Sequence, residues 1–373
     1  MVTFPHSSVQ IESSMVQQQE PNAPHARVDF VAHSRNSANR GRHSSAISQA
    51  PPEIVSGRWL VKALLATLFA AAAALYCTVC LLFYQGQWQF VFFPPKQNRA
   101  PVNVSQLAAS SSLPIADVKF NYTEQGIPRL DGWWIPAVSA VPPDKSSAAG
   151  SRENRNGPVT NPLVILFCPD GRTTLPDNMA AFQAFHALGV NVFAFDYRGF
   201  GQSTPGHPSE GKSYADGVAA LKYLTDRRHI PPSHIVLYGA GVGAAVAAHV
   251  AQQSPEVAGL ILENARPSFA KKVKREQHIH VLPLWLIFPE RFQITRIVPQ
   301  IRCPKLFLMP AGNSEATRLF RQASAPKFLA AIGTESGPSM YSQPAWQQAV
   351  QRFLSALPAS SQKSEEDRSL SSH

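Results

Sequence analysis

Gly239-Ala240-Gly241-Val242-Gly243 follows the apolar run Ile235–Tyr238 and leads into the alanine-rich stretch Ala244–Gln253. A strand, a glycine-rich turn and a helix in that order can serve two chemistries. In one, the glycines let a pyrophosphate reach the helix N-terminus while an acid ending the next strand holds a ribose hydroxyl. Gly239-x-Gly241-x-x-Ala244 with Glu263 has that spacing. In the other, the turn follows G-x-S-x-G and exposes a nucleophilic hydroxyl to an acyl group. Here the middle residue is Gly241, which has no side chain to attack with. Cys168 and Ser268 are the alternative nucleophiles, although an apolar strand end and a turn account for them more simply. Neither has a histidine in reach by sequence logic, although His278 and His280 lie in the stretch that would cover the site; the next histidine is His373, the last residue.

Positioning such a turn takes a sheet. From about Pro95 to Pro358 the sequence alternates short β-rich runs with helical stretches, which predicts a mostly parallel sheet covered by helices. Strands are expected over Val118–Tyr122, Leu130–Ile135, Leu163–Phe167, Val190–Phe195, Ile235–Tyr238, Leu260–Glu263, Lys305–Met309 and Lys327–Ile332. Helices are expected over Met179–Leu188, Tyr214–Arg227, Ala244–Gln253 and Ala345–Leu357. Residues 138–162, full of Ser, Ala, Pro, Asn and Gly, predict a flexible insert.

Ahead of that domain lies Ala63–Tyr84, an uncharged, mostly apolar run of about 22 residues, long enough to cross a bilayer as a helix. Trp59 precedes it, and Trp88, Phe90, Phe92 and Phe93 follow as an interfacial aromatic collar would. The anchor is taken as 59–85, with polar, disordered tails over 1–57 and 359–373 and the folded domain over 86–358. A polar leader of this length, with no small-residue cleavage pattern after the apolar run, argues for a retained anchor and not a cleaved signal peptide. Lys and Arg are nearly balanced close to the span, and the large domain is expected on the extracytoplasmic side. The net charge of +10 suits an anionic membrane surface, because no nucleic-acid module is visible. Four cysteines in 373 residues make no disulfide framework. Cys168 and Cys303 would lie at opposite ends of parallel strands, roughly 15–20 Å apart, too far to bridge.

Asp196-Tyr197-Arg198-Gly199-Phe200-Gly201-Gln202-Ser203, ending one strand and opening a loop, resembles the α/β-hydrolases and specifically their membrane-anchored BEM46-like branch. The likeness runs from about Gln85 to Leu357. It includes Phe92-Phe93-Pro94-Pro95, Trp133-Trp134-Ile135-Pro136, Leu262-Glu263-Asn264 and Ile301-Arg302-Cys303-Pro304. It implies an α/β-hydrolase fold with an eight-stranded, mostly parallel sheet, helices on both faces and one preceding transmembrane helix. It also implies descent from serine hydrolases of esters, thioesters and amides.

The same resemblance assigns catalytic positions, and none holds a competent residue. The nucleophile position is Gly241, with the elbow glycines Gly239 and Gly243 kept. The acid position, in Met309-Pro310-Ala311-Gly312-Asn313, is Asn313, which cannot balance an imidazolium charge; Glu315 is a nearby substitute that reads better as a helix-start residue. The base position, in Gly337-Pro338-Ser339-Met340, is Pro338. An oxyanion hole would draw one N–H from Val242 and another from Cys168-Pro169-Asp170-Gly171, where Pro169 has none to give. Asp170 would set negative charge beside an oxyanion, or cap a turn. Asp196, Arg198 and Asp216 read as loop and helix-cap residues.

The expected protein is therefore a catalytically inactive relative of serine esterases that binds a ligand or partner, with an active hydrolase using a displaced nucleophile and a dinucleotide binder as alternatives. No cofactor and no metal are expected. The partners expected are the membrane, through a single-pass anchor, and a lipid-like ligand or a protein. A lid-like region over 267–301 motivates the lipid: Lys271, Lys272, Lys274 and Arg275 precede the apolar run Val281–Phe288, a pattern that can meet head groups and acyl chains. A charged helix face followed by a packed lid helix explains the same residues.

Overall fold

The structure is a computed structural model, and it describes residues 56–93, 102–121, 129–137, 163–269, 288, 292–333 and 338–357. The tails, the insert at 138–162, the basic cluster 271–275 and most of the 281–288 run lie outside the described residues. Two compact units are delimited, Met1–Lys62 and Ala63–His373. Of the first, only the opening turns of one helix are described.

That helix, α1, spans Gly57–Gly86, longer at both ends than its uncharged core. None of its residues is buried, and Leu64, Leu68 and Phe69 are exposed; Cys80 and Phe83, near its end, meet the core described below. It is long and apolar enough to cross a membrane and is a candidate anchor. A short α2, Val104–Ser111, is opened by the Asn103 side chain accepting from Gln106 N at 3.1 Å.

Eight strands form one sheet in the order β1-β2-β4-β3-β5-β6-β7-β8. They are β1 Ala116–Asn121, β2 Arg129–Ile135, β3 Val164–Cys168, β4 Asn191–Phe195, β5 Ile235–Ala240, β6 Gly259–Glu263, β7 Lys305–Pro310 and β8 Lys327–Ile332. The pairings β1–β2 and β2–β4 are antiparallel and the other five are parallel, so β2 alone runs against the direction of the rest. Alternation along each strand sends side chains to two cores. In β3, for example, Val164, Leu166 and Cys168 join one core, and Ile165 and Phe167 the other. Helices α4 (Glu210–Lys222) and α5 (Val242–Gln253) pack on the first face. Helices α3 (Met179–Ala187) and α7 (Pro344–Ser355) pack on the second. Between β7 and β8 lies α6, Ser314–Gln322. This is the expected α/β-hydrolase architecture, with each predicted strand present to within two residues at either end.

The helix expected over Tyr214–Arg227 differs in kind. α4 begins a turn earlier, where the Ser209 side chain caps it, and Tyr223–Arg227 is π-helical. Cys168 and Cys303 are both free, as expected, and β3 and β7 are separated by β5 and β6.

Candidate functional site

The carboxyl ends of β3, β5 and β6 meet at one place, the edge of a parallel α/β sheet where ligands bind. Gly241 joins β5 to α5 with φ 56° and ψ −111°, a conformation that strains any residue with a Cβ. The flanking glycines are required by contact. A Cβ on Gly239 would lie 2.3 Å from Gly243 O, and one on Gly243 would lie 2.0 Å from Cys168 O. The turn is thus wedged against the loop after β3, and that proximity brings Asp170 to it.

Asp170 Oδ1 accepts the amide of Val242 at 3.0 Å and the amide of Gly171 at 2.8 Å. Two N–H groups, one opening α5 and one from the β3 loop, converge on a single oxygen. The same oxygen would lie 2.4 Å from a Cβ on Gly241. The Asp170 carboxylate therefore fills the space over the turn and satisfies its donors, besides the ordinary turn bond from Thr173 N to Asp170 O at 3.2 Å. The expected turn cap is the smaller part of its work. Pro169 has no N–H, and the loop amide that reaches Asp170 Oδ1 is that of Gly171.

Glu263 ends β6 beside this point and is buried. Its Oε2 accepts hydroxyls from Tyr238 and, at 3.0 Å, from Tyr341. Its carboxyl is raised to about 7, chiefly by burial, which outweighs the downward pull of the two tyrosine hydrogen bonds, with a smaller upward push from the nearby Asp170. Sequence reasoning placed Glu263 and missed both tyrosines. The available signal was Tyr238, a core-facing strand residue whose hydroxyl needs a partner, two residues short of the position paired with Glu263.

Asn313 caps α6, its Oδ1 accepting from Ala316 N at 3.0 Å. Glu315 stands in the first turn of that helix, as expected. Pro338 begins the 3-10 helix Pro338–Ser342, which carries Tyr341 to Glu263; Gly337 lies outside the described residues.

Cys168 is fully buried and its thiol is driven far up by burial, which suppresses the nucleophilic thiolate. Ser268 is also buried, and His278 and His280 lie outside the described residues. Asp196 accepts from Leu175 N at 3.0 Å, and burial, then the nearby Asp131, raise its carboxyl well above the usual range. Arg198 pairs with Asp216 at 2.7 Å. Both are structural, as expected. The dinucleotide reading fails on two contacts: the amide that would meet a pyrophosphate is held by Asp170, and Glu263 is buried under two tyrosines. Among the described residues no cluster of His, Cys, Asp and Glu could hold a metal ion.

These features define a protein of the α/β-hydrolase fold. The family model described as serine aminopeptidase, S33, matches residues 177–331. The esterase Pf2001 of Pyrococcus furiosus superposes with a TM-score of 0.52 at 18% identity, covering 72% of this chain and 98% of that one. An α/β hydrolase from Vibrio vulnificus superposes with a TM-score of 0.50 at 20% identity, covering 68% and 86%. Among curated relatives, the uncharacterized protein Rv2307c of Mycobacterium tuberculosis is 29% identical over 294 residues, 76% of this chain and 93% of its own. Protein bem46 of Schizosaccharomyces pombe is 43% identical over 81 residues, 21% of this chain and 27% of its own. The chain has the α/β-hydrolase fold, and over parts of its length it is similar to BEM46-like α/β-hydrolases.

Proposed function

We propose that this α/β-hydrolase-fold protein is held at a membrane by α1 and performs no hydrolysis, acting by binding a lipid-like ligand or a protein partner. The observation that carries this reading is the Asp170 carboxylate on the amides of Val242 and Gly171. Those amides are the donors that an acyl-transfer oxyanion would use. An oxyanion forming there would have to displace a carboxylate that is covalently part of the protein and already paired. Gly241 supplies no nucleophile, and losing the nucleophile or base of such a triad lowers turnover by about a million-fold. Asn313 spends its amide oxygen on α6, and Pro338 has no proton acceptor. The fold is kept, and its carboxyl edge remains a place for ligands.

Turnover of p-nitrophenyl esters and acyl thioesters by the full chain in nanodiscs tests this. The expected rate matches that of the Gly241→Ala protein and of empty nanodiscs. A rate well above both, abolished in one substitution variant, overturns the proposal and favours a displaced nucleophile.

A further inference from the structure

The end of α1 does not lead into a free linker. Cys80 and Phe83, in its last turns, pack against the core on the α4/α5 face. Phe83 stacks on Phe90 with centroids 5.2 Å apart and meets Phe288 at 6.2 Å. The chain continues as the 3-10 helix Gln87–Phe90, and Val91 and Phe92 are then almost fully buried. Phe92 lies against Phe200 and Phe292 and would touch a Cβ on Gly171 at 3.0 Å. Phe93 N donates to Gly171 O at 2.7 Å. The collar after the helix is therefore docked on the loop that carries Asp170.

Phe92 is six positions beyond Gly86. Four residues of 3-10 helix and two of extended chain reach roughly 15 Å at most. A helix end that close, with aromatic contacts on both sides of it, fixes which edge of the sheet faces the bilayer. The residues exposed around it have the chemistry of a membrane interface. Phe93 is 50% exposed, with the Arg172 guanidinium 4.9 Å over its ring. Trp88 meets the exposed His207 in a tilted arrangement, with centroids 4.8 Å apart. Aromatic rings with a polar or cationic edge sit at head-group level, and a guanidinium matches phosphate.

We infer that the carboxyl edge of the sheet, presented by Trp88, Phe93, Arg172 and His207, rests on the lipid head groups of the bilayer that holds α1, so the candidate site opens toward lipid. This rests on the anchor reading above. A ligand would then be an amphiphile entering from the bilayer surface, and the amino edge of the sheet would face bulk water.

Single cysteines for spin labelling at Leu75, Arg172 and Glu256, in a Cys77→Ala/Cys80→Ala background of the full chain in nanodiscs, test it. Glu256 is exposed and precedes β6 at the opposite edge. Nickel chelated on lipid head groups should relax the label in Arg172→Cys at least several-fold more than that in Glu256→Cys. The Leu75→Cys label should be reached by oxygen and shielded from water-soluble nickel. Equal relaxation at Arg172 and Glu256, with Leu75 shielded, overturns the orientation alone. A water-exposed Leu75 label overturns the anchor and the orientation together.

Discussion

Asp170 Oδ1 lies 3.0 Å from the amide of Val242, in the volume that any side chain on Gly241 would need. One carboxylate thereby performs two tasks: it satisfies the first amide of α5 and fills the space directly over Gly241. A buried amide without a partner costs about 1–3 kcal/mol, so the plug also contributes to stability.

Truncating the plug should expose this. Asp170→Ala is expected to lose about 1–3 kcal/mol in urea unfolding, since two amides lose their acceptor. Acetate supplies the missing carboxylate in trans and should raise the Tm of Asp170→Ala while leaving the parent protein unchanged. No acetate effect on the variant would mean that the amides do not form an anion site.

Restoring a serine should not restore a reaction. Gly241→Ser places a Cβ at positive φ and against Asp170, and is expected to destabilise by about 1–3 kcal/mol from backbone strain alone, with steric overlap added. Combined with Asp170→Ala, the loss should be smaller than the sum of the two single losses by more than about 0.5 kcal/mol, the usual limit of additivity between distant sites. A strictly additive double-mutant cycle in urea would contradict the contact.

Glu263 predicts a pH dependence whose sign follows from its raised carboxyl. The folded protein holds this proton up to about 7, whereas the unfolded chain releases it near the ordinary glutamate value. Stability is complete below the unfolded value and falls as pH rises through the folded one, by on the order of 3 kcal/mol for this group. Asp131 and Asp216, each raised to about 6 by burial, tilt the curve the same way. Glu263→Gln keeps an acceptor for both tyrosines, so the fall in Tm between pH 5 and 8 should become shallower. An unchanged slope would show that Glu263 does not titrate in that range.

The strands were legible because a sheet buried on both faces needs apolar runs, as in β3, buried along its whole length. β8, a largely exposed edge strand, still carries such a run and matches its predicted bounds at both ends. The serine-hydrolase elbow was legible because its three glycines stand at fixed spacing between an apolar run and an alanine-rich stretch. Of the three, only Gly239 is forced by backbone within a few residues, Gly241 and Gly243 being crowded by the loop after β3. α2 and α6 were not. The first is short and serine-rich with no apolar stripe, and the second depends on the Asn313 cap, which had been read for chemistry instead of helix initiation. The Tyr238–Glu263–Tyr341 cluster joins residues 78 positions apart through side chains alone, which no local pattern reports. Asp170 was seen as a charge near the hole; that it enters the hole depends on the approach of two loops in three dimensions.

The account rests on an elbow with no group able to take an acyl or phosphonyl moiety. Intact-mass measurement of the full chain after exposure to a fluorophosphonate tests that most directly. An unchanged mass is predicted, and an adduct formed at one equivalent per chain would contradict it.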